Sequence, residues 1–319
     1  MHEYQLIKKY FSQLSRKNKS SLNLNDDVFF DKSKKLVISV DTYVEGVHFI
    51  DFKKPDLVIK KIIRSSISDI IYKGVKPKYY FISGSGNKTS FSSSNLIKIS
   101  KSLKHEQNKY NILLCGGDTV YSNKLSFTIT SVGFSKKIIP RNHAKLNDDI
   151  YVTGNLGDSF AGLNIIKKKI YANNSLNKYF KDKYYLPNLN FKLGNKLLSI
   201  ANTSIDISDG LIADLEKLIN KQKFSYKLNL LNVPISKNLK KLLIQKKLDK
   251  ISFISQGDDY QILFTANSSK SGIINRIAKS TGIKISKIGK ICSDRQKSQI
   301  IDEKGNKIAI KTKGYSHRF

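Results

Sequence analysis

Residues 36–74 read LVISVDTYVEGVHFIDFKKPDLVIKKIIRSSISDIIYKG, and the spacing of the apolar residues changes within this stretch. Leu36 to Val40 form a short apolar run, which predicts a strand, and the residues that follow are also rich in β-formers. After Pro55 the isoleucines recur at i, i+3 and i+4, which predicts an amphipathic helix that ends at Gly74. A strand followed by a helix is the repeating unit of an α/β fold.

The rest of the chain repeats this alternation in both halves, which indicates an α/β or α+β fold. A polar connector at residues 140–149 separates the halves and predicts two domains, 1–146 and 147–319. Further helices are predicted at 3–14, 92–107, 159–169, 189–202 and 210–222. Further strands are predicted at 112–115, where the strand should be buried, and at 125–133, 150–154, 205–208, 251–254, 261–265 and 285–291.

The chain of 319 residues has 39% hydrophobic residues, enough for the cores of two domains. It contains no apolar run of about 18 residues, so no membrane span is predicted. Its first residues are amphipathic and mixed in charge, unlike a secretion signal, so we expect a cytoplasmic protein. Cys115 and Cys292 match no metal or redox spacing. They form either one disulfide or two thiols, and two scattered thiols are more typical of the cytosol.

The net charge is strongly positive, because 57 Lys and Arg stand against 25 Asp and Glu, a formal +32. Such a charge is typical of proteins that bind nucleic acid, anionic membranes or phosphorylated ligands. The lysines, however, are spread from Lys8 to Lys313 and come with an excess of Asn, Ile and Ser. This spread indicates a compositional bias that fills solvated faces, so we expect neither nucleic acid nor a membrane as partner.

Aspartates follow apolar segments at several places, although the chain holds few acids. In a strand, residues two apart share a face, so Ser39 points the same way as Asp41. The same spacing relates Asp206 to Ser208. The five places are Asn25-Asp26-Asp27, Ser39-Val40-Asp41, Ser68-Asp69, Gly116-Gly117-Asp118 and Asp206-Ile207-Ser208-Asp209-Gly210.

Some of these aspartates also have an ordinary structural explanation. Asp209 precedes a helical pattern and is either its N-cap or a ligand, and Asp26 or Asp27 is either a turn residue or a ligand. Asp69 lies at the edge of the isoleucine stripe, where a carboxylate is unusual unless it faces a cleft. Asp118 follows two glycines whose amides can approach an anion closely.

Together the carboxylates predict a single metal–phosphate site. Oxygen ligands without paired His or Cys favour hard cations, Mg²⁺ first. Mg²⁺ usually binds through one or two carboxylates together with water and substrate phosphates. Several aspartates therefore predict more than one ion and a polyphosphate substrate.

The same segments, in the same order, resemble the thiamine-monophosphate kinase family of the aminoimidazole-ribotide-synthetase-like superfamily, over nearly the whole chain. The most specific motifs are VEGVHF at 44–49 and DISDGL at 206–211, and further matches are Gly116-Gly117-Asp118, QGDDYQI at 256–262 and Lys313-Gly314-Tyr315. The chain departs from the family pattern at Asn25, where a glycine is usual, and likewise at Val40 (threonine), Ser66 (asparagine) and Asp258 (glutamate).

This resemblance implies ATP-dependent phosphorylation of thiamine monophosphate to thiamine diphosphate with Mg²⁺. It also implies an N-terminal α/β domain that binds ATP and Mg²⁺ and pairs with its copy in a homodimer, and a C-terminal α/β domain that closes over the nucleotide. The nucleophile would be a substrate phosphate oxygen, already ionised near neutral pH, so no side-chain base is expected. The implied Mg²⁺ ligands are Asp27, Ser39, Asp41, Asp69, Asp118, Asp206 and Asp209. The implied ATP contacts are Gly117, Asp118, Arg141 and Ser208, and the implied contacts to thiamine phosphate are His48, Asp258 and Tyr315.

Two other functions stay open from the sequence. Another ATP-using enzyme of the same superfamily, from purine biosynthesis or hydrogenase maturation, would share the fold and the metal ligands. The VEGVHF run together with Tyr315 favours thiamine phosphate over these substrates. A basic nucleic-acid-binding protein would instead need its lysines on one face and its aromatic residues on an exposed sheet.

Overall fold

The computed structural model describes residues 2–302, 304–310 and 312–317. No helix within these ranges is both long and apolar enough to cross a membrane. The chain forms two units, each with a six-stranded sheet and helices, which confirms the predicted mixed α/β class. The amino-terminal unit comprises Lys17–Ile71 and Val75–Ile138, and the carboxy-terminal unit comprises Met1–Arg16, Tyr72–Gly74 and Ile139–Phe319.

The secondary-structure elements are numbered along the chain. The helices are α1 (Glu3–Leu6, continued by the π-helical segment Ile7–Phe11), α2 (Pro55–Tyr72), α3 (Ser93–Tyr110), α4 (Asp158–Ile166), α5 (Asn174–Tyr185), α6 (Gly194–Ile200), α7 (Leu211–Leu218), α8 (Lys237–Lys246), α9 (Lys250–Ile254) and α10 (Ser271–Thr281). The 3₁₀ segments are Lys19–Leu24, Leu230–Asn232 and Ser268–Lys270. The strands are β1 (Phe29–Asp31), β2 (Leu36–Val44), β3 (Pro77–Gly86), β4 (Leu113–Leu114), β5 (Thr119–Tyr121), β6 (Ser126–Phe134), β7 (Asp149–Thr153), β8 (Thr203–Asp206), β9 (Phe224–Asn229), β10 (Ile262–Ala266), β11 (Ile285–Ser293) and β12 (Gln299–Ile301).

The sheet of the amino-terminal unit runs β1-β2-β6-β3, and both β4 and β5 pair with the outer edge of β3. The first four strands pair antiparallel, whereas β4 and β5 run parallel to β3. Along β2, Val37, Ser39 and Tyr43 are buried, whereas Val40 and Thr42 are exposed. One face of this sheet is therefore covered and the other is open.

Helix α2 covers that face with the isoleucine stripe predicted from the sequence. Its isoleucines at 59, 62, 63, 67 and 70 have no exposed surface. The helix stops at Tyr72, and Gly74 follows with a φ of +81°, a conformation that glycine adopts without strain. The predicted strand and helix of this stretch are both confirmed, although β2 is one long strand up to Val44.

The sheet of the carboxy-terminal unit runs β12-β9-β11-β7-β10-β8 and is antiparallel except for the β12–β9 pair. Its core contains a stack of Tyr151 on Phe264, with ring centroids 5.3 Å apart. Strand β8 ends at Asp206 and pairs there with Ile262 of β10. The end of β8 thus places the DISDGL motif beside the start of β10.

Two sequence predictions of secondary structure are wrong. Residues 251–254 were expected to form a strand but form helix α9, because Asp249 caps it by accepting the N–H groups of Ile251 and Ser252. Short apolar runs do not distinguish a strand from a buried helix. Residues 112–115 were expected to be a buried strand, but Leu113 and Leu114 are 50% and 44% exposed because β4 lies at the sheet edge.

A buried ion pair joins the two long helices of the amino-terminal unit. Arg64 of α2 donates two hydrogen bonds of 2.9 Å to the carboxylate of Glu106 on α3. Burial alone would lower the pKa of Arg64, but the hydrogen bonds and charge of Glu106 outweigh it and the net shift is upward. Both side chains are at most 5% exposed, so neither charge can be hydrated if its partner is lost.

We predict that Glu106→Gln lowers the free energy of unfolding by about 3 kcal/mol, because it leaves the Arg64 guanidinium buried without a counter-charge. Urea unfolding followed by circular dichroism measures this loss. Lys53→Met is the control, because Lys53 is 85% exposed and pairs with Asp51 at the surface, where ion pairs contribute little. A loss no larger for Glu106→Gln than for Lys53→Met would contradict the prediction.

Candidate functional site

The first group of predicted ligands lies where α2 crosses the covered face of the amino-terminal sheet. Ser39 of β2 donates a hydrogen bond of 2.5 Å to Asp69 of α2. One helical turn earlier, Ser66 and Ser131 are hydrogen-bonded at 2.9 Å. Asp41 follows Ser39 on the same face of β2. The structure therefore brings Ser39 and Asp69 into contact and places Asp41 beside them on the strand.

The glycine loop before β5 reaches the same row of the sheet. Asp41 pairs with Ile129 of β6, which pairs with Ile82 of β3. The N–H of Ile82 donates to the carbonyl of Gly116 at 3.0 Å, so the loop lies at the end of this row. The N–H of Gly84 likewise donates to the carbonyl of Asp118 at 2.8 Å. The backbone of β3 thus holds the loop that carries Asp118.

Gly117 allows this close approach. A Cβ at Gly117 would lie 1.7 Å from the carbonyl oxygen of Ile82, far inside any permitted contact. The Asp118 carboxylate is exposed and accepts the N–H of Thr119 at 2.8 Å, which orients it. An exposed, oriented carboxylate next to a glycine loop can hold a cation that bridges to phosphate.

Two other predicted residues of this unit have local roles. Asp27 lies two residues before the start of β1, and its N–H donates to the Asp26 carboxylate at 2.9 Å. His48 lies in the turn after β2, where its Nδ1 accepts the N–H of Val44 at 3.0 Å. Because Nδ1 accepts, a neutral ring carries its proton on Nε2. The ring also packs edge-on against Tyr43.

In the carboxy-terminal unit, two separate segments converge on the DISDGL motif. The N–H of Asp258 donates to the carbonyl of Ser208 at 2.8 Å. The N–H of Tyr315 donates to the carbonyl of Asp209 at 2.9 Å. A Cβ at Gly257 would lie 1.6 Å from the Ser208 carbonyl oxygen, so only glycine permits this crossing. The structure thus brings together four residues that the sequence analysis predicted for the site.

Asp258 and Tyr315, both predicted to contact substrate, are held by backbone hydrogen bonds to the DISDGL motif. The Asp258 carboxylate accepts a hydrogen bond of 3.1 Å from the hydroxyl of Tyr260. Burial, together with the charges of Asp209 and Asp258, raises the pKa of Tyr315. Tyr315 is 45% exposed, so its ring remains available to a ligand. His48, the third predicted substrate residue, belongs to the amino-terminal unit.

Two charged residues beside Asp209 were not predicted from the sequence. Asp214 is fully buried and accepts the N–H groups of Asp209 at 2.9 Å and Gly210 at 3.0 Å. Gly210, not Asp209, is the N-cap of α7, which excludes the alternative that Asp209 is only a cap. Asp214 lies among the apolar positions of α7, and an acid at such a position was the feature of the sequence that could have indicated a buried role.

Lys217 is the second missed residue, and its Nζ forms an ion pair with Asp209 Oδ2. The same Nζ lies 3.6 Å from Asp214 Oδ1. Burial raises the pKa of Asp214 to about 8, although Lys217 acts to lower it. The pKa of Lys217 is raised, because the charges of Asp214 and Asp209 outweigh burial. The repulsion of Arg141 acts in the opposite direction on Lys217, so this predicted ATP contact also lies close.

These residues fit Mg²⁺ by donor type. The acids of both units offer oxygen atoms only, and Asp214 Oδ1 is buried without a hydrogen bond. Within the described ranges, no three His, Cys, Asp or Glu side chains converge closely enough to form a metal cage. Mg²⁺ does not require one, since it usually keeps several waters and completes its shell with substrate phosphates.

The cavity of about 170 Å³ in the carboxy-terminal unit is lined by other residues than those predicted from the sequence. Asp259 lines it and accepts the N–H of Gly157 at 2.7 Å, which holds the start of α4. Burial raises the pKa of Asp259 well above its usual range. The two neighbouring acids of the QGDDYQI motif therefore have different roles. Asp259 anchors the start of a helix, whereas Asp258 lies near Tyr315.

The chain is similar to known proteins in sequence and in structure. The family described as AIR synthase related protein, N-terminal domain, matches residues 25–135. A thiamine-monophosphate kinase of Buchnera aphidicola subsp. Acyrthosiphon pisum is 35% identical over 326 residues, which cover 99% of this chain and 98% of the relative. One of Haemophilus influenzae is 32% identical over the same shares of both chains. A solved structure, AaThiL complexed with AMPPCP and TMP, superposes with a TM-score of 0.85 at 24% identity and covers 99% of this chain and 97% of that chain.

We predict that Gly117→Ala lowers the free energy of unfolding by about 2 kcal/mol or more, because the new methyl group displaces the Ile82 carbonyl from the β3 ladder. Guanidinium unfolding measures the loss. Gly272→Ala is the matched control, since a Cβ there meets nothing within 4 Å and lies in helix α10, where alanine is favoured. Equal stability of the two variants would show that the Gly117 loop is not tightly held.

Proposed function

This chain belongs to the thiamine-monophosphate kinase family, and we propose that it transfers the terminal phosphoryl group of ATP to thiamine monophosphate, giving thiamine diphosphate and ADP. The observation that carries this proposal is 35% identity to a thiamine-monophosphate kinase along 99% of the chain. The geometry supports it independently, because acids and glycine loops suited to cations and phosphates are held in place by the backbone in both units.

The transfer requires an in-line attack. A phosphate oxygen of thiamine monophosphate would attack the terminal phosphorus of ATP, the bond from that phosphorus to the bridging oxygen would break, and ADP would leave with the electron pair. The attacking oxygen is already ionised near neutral pH, so the protein need not remove a proton. The task of the protein is therefore to position the two phosphates and offset their charge.

Each unit would contribute its own residues to this task. In the amino-terminal unit, Asp27, Ser39, Asp41, Asp69 and Asp118 would hold Mg²⁺, and in the carboxy-terminal unit Asp206 and Asp209 would do so. Mg²⁺, when bound, would draw charge away from the phosphate oxygens during transfer. Ser39 orients the Asp69 carboxylate through its hydrogen bond.

The remaining predicted contacts would bind the two substrates. Gly117, Asp118, Arg141 and Ser208 would contact ATP, with the guanidinium fork of Arg141 suited to phosphate oxygens. Asp258, Tyr315 and His48 would contact thiamine monophosphate. The exposed ring of Tyr315 can lie against the cationic thiazolium, an interaction of about 0.5–2 kcal/mol. We also expect the reaction in the cytoplasm, which agrees with two cysteines that are free in the structure.

We further propose a homodimer formed through the open face of the amino-terminal sheet. Val40, Thr130 and Phe81 form one row of this face. Its apolar side chains are exposed to water: Val40 by 61%, Phe81 by 40%, Leu113 by 50%, Val120 by 51% and Phe134 by 52%. Contiguous exposed apolar surface of this kind marks an interface, and a second copy of the same sheet face would cover it.

The decisive test of the reaction is ADP release with ATP, Mg²⁺ and thiamine monophosphate, compared with free thiamine and with aminoimidazole ribotide as acceptors. We expect turnover only when thiamine monophosphate is the acceptor.

Asp118→Asn should reduce this turnover by about a hundredfold or more, whereas its unfolding temperature should stay near that of the wild type, because an exposed carboxylate contributes little to stability. Turnover with another acceptor only would refute the proposed substrate, and near-normal turnover of Asp118→Asn would exclude Asp118 as a ligand.

The dimer is tested by sedimentation equilibrium. We expect wild-type protein at twice the chain mass, and we expect Val120→Asp to weaken association by about tenfold or more, because it would bury an unpaired charge in the interface. Ile97→Asp is the matched control, since Ile97 is 56% exposed on α3 and lies off the proposed interface. Dissociation of both variants to the same extent, or of neither, would argue against this face.

A further inference from the structure

Lys217 is placed differently from the other lysines around helix α7. Lys313 pairs with Glu216, and both of these side chains are well exposed. Lys221, one turn further along the chain, lies over the ring of Tyr4. Lys217 instead turns toward the start of its own helix, where its Nζ pairs with Asp209 and lies 3.6 Å from Asp214. It is therefore an ammonium group placed directly on a carboxylate that the proposed function assigns to Mg²⁺.

The two carboxylates depend on this lysine for charge balance. Asp214 has no exposed surface, and its Oδ1 is buried without a hydrogen bond, so Lys217 is the cation that offsets it. Asp209 is 23% exposed, so a cation from solution can reach its carboxylate. A carboxylate oxygen that pairs with an ammonium group at close range cannot bind Mg²⁺ in the same direction, since both cations need the same lone pairs.

We propose that Lys217 is a built-in competitor of Mg²⁺ for Asp209, so that the ion binds there only when the ammonium group moves away. This inference rests on the proposed function in one respect, the assignment of Asp209 as a metal ligand. The lysine keeps the acid pair balanced without metal and weakens metal binding at Asp209. Its side chain is 40% exposed and has a flexible four-carbon stem, which gives it room to turn aside.

The competition can be measured on the free protein with Mn²⁺, which prefers the same oxygen ligands as Mg²⁺ and is detected by electron paramagnetic resonance. We expect Lys217→Met and Lys217→Gln to bind one Mn²⁺ about three- to tenfold more tightly than the wild type, the scale of a partly exposed ion pair. Lys217→Arg should bind as the wild type does, because it keeps the charge. Both variants remove the charge, one with an apolar and one with a polar side chain, so the test does not depend on the folding of a single variant.

A double-mutant cycle separates direct competition from a general change in charge. Asp209→Asn should lose one Mn²⁺ site, and in that background Lys217→Met should bring no gain. Lys221→Met is the control for net charge, because it removes a positive charge from the residue one turn beyond Lys217, and it should match the wild type. The proposal is overturned if Lys217→Met binds Mn²⁺ no more tightly, if the gain persists with Asp209→Asn, or if Lys221→Met gains equally.

The titration contains neither ATP nor thiamine monophosphate, so its result is independent of the acceptor assay. A chain that phosphorylates thiamine monophosphate but shows no Lys217 effect would refute this inference alone. A chain that shows the effect but no such turnover would refute the proposed substrate and retain Lys217 as the competitor of a metal on Asp209.

Discussion

The antiparallel register of β2 against β6 is the constraint on which the amino-terminal unit depends. Side chains alternate along a strand, so a slip of one residue would move every side chain to the opposite face. In the observed register Ser39 and Asp41 lie under α2, whereas Val40 lies on the open face. One set of backbone hydrogen bonds therefore places the polar side chains of Ser39 and Asp41 under α2 and the apolar side chain of Val40 on the open face. A slip of β2 would turn Asp41 to the open face and Val40 toward α2.

Backbone proximity, more than side-chain contact, positions the acids in both units. The β3 strand holds the carbonyls of Gly116 and Asp118, and the carbonyl of Ser208 holds Asp258. Where two backbones come this close, only glycine fits, as at Gly117 and Gly257. The Asp118 carboxylate placed in this way is exposed and is oriented by the N–H of Thr119. Asp209 is paired with Lys217, which belongs to the helix that follows.

The spacing of apolar residues correctly predicted those features of the fold that depend on neighbouring residues in the sequence. The pairing of Ser39 with Asp69 follows from a two-residue strand period and an isoleucine stripe, and both were readable in the sequence. Asp214 and Lys217 were not predicted, because their roles depend on which residue caps α7. An Asp-Gly pair before a leucine stripe allows either residue to be the N-cap. The central strand β3 was also missed, since its glycines and serines weaken the strand pattern. The two compact units depend on contacts distant in sequence, which bring residues 1–16 and 72–74 into the carboxy-terminal unit, and no local pattern near 146/147 indicates such contacts.

In the proposed reaction the attacking phosphate oxygen would arrive ionised, so no catalytic base would be needed. A base must present a free nitrogen or oxygen to the acceptor, yet Nδ1 of His48 accepts a backbone N–H. That arrangement fixes the ring with its proton on Nε2, which is compatible with the contact to thiamine monophosphate proposed for His48. Asp258 is likewise held by the hydroxyl of Tyr260, an interaction that fixes the direction of a carboxylate one methylene shorter than the glutamate usual in the family. Since the attacking oxygen would arrive ionised, the proposed reaction would depend on rigid recognition of the substrate and not on proton transfer. The positions that depart from the family pattern are then expected to alter substrate affinity before they alter the chemical step.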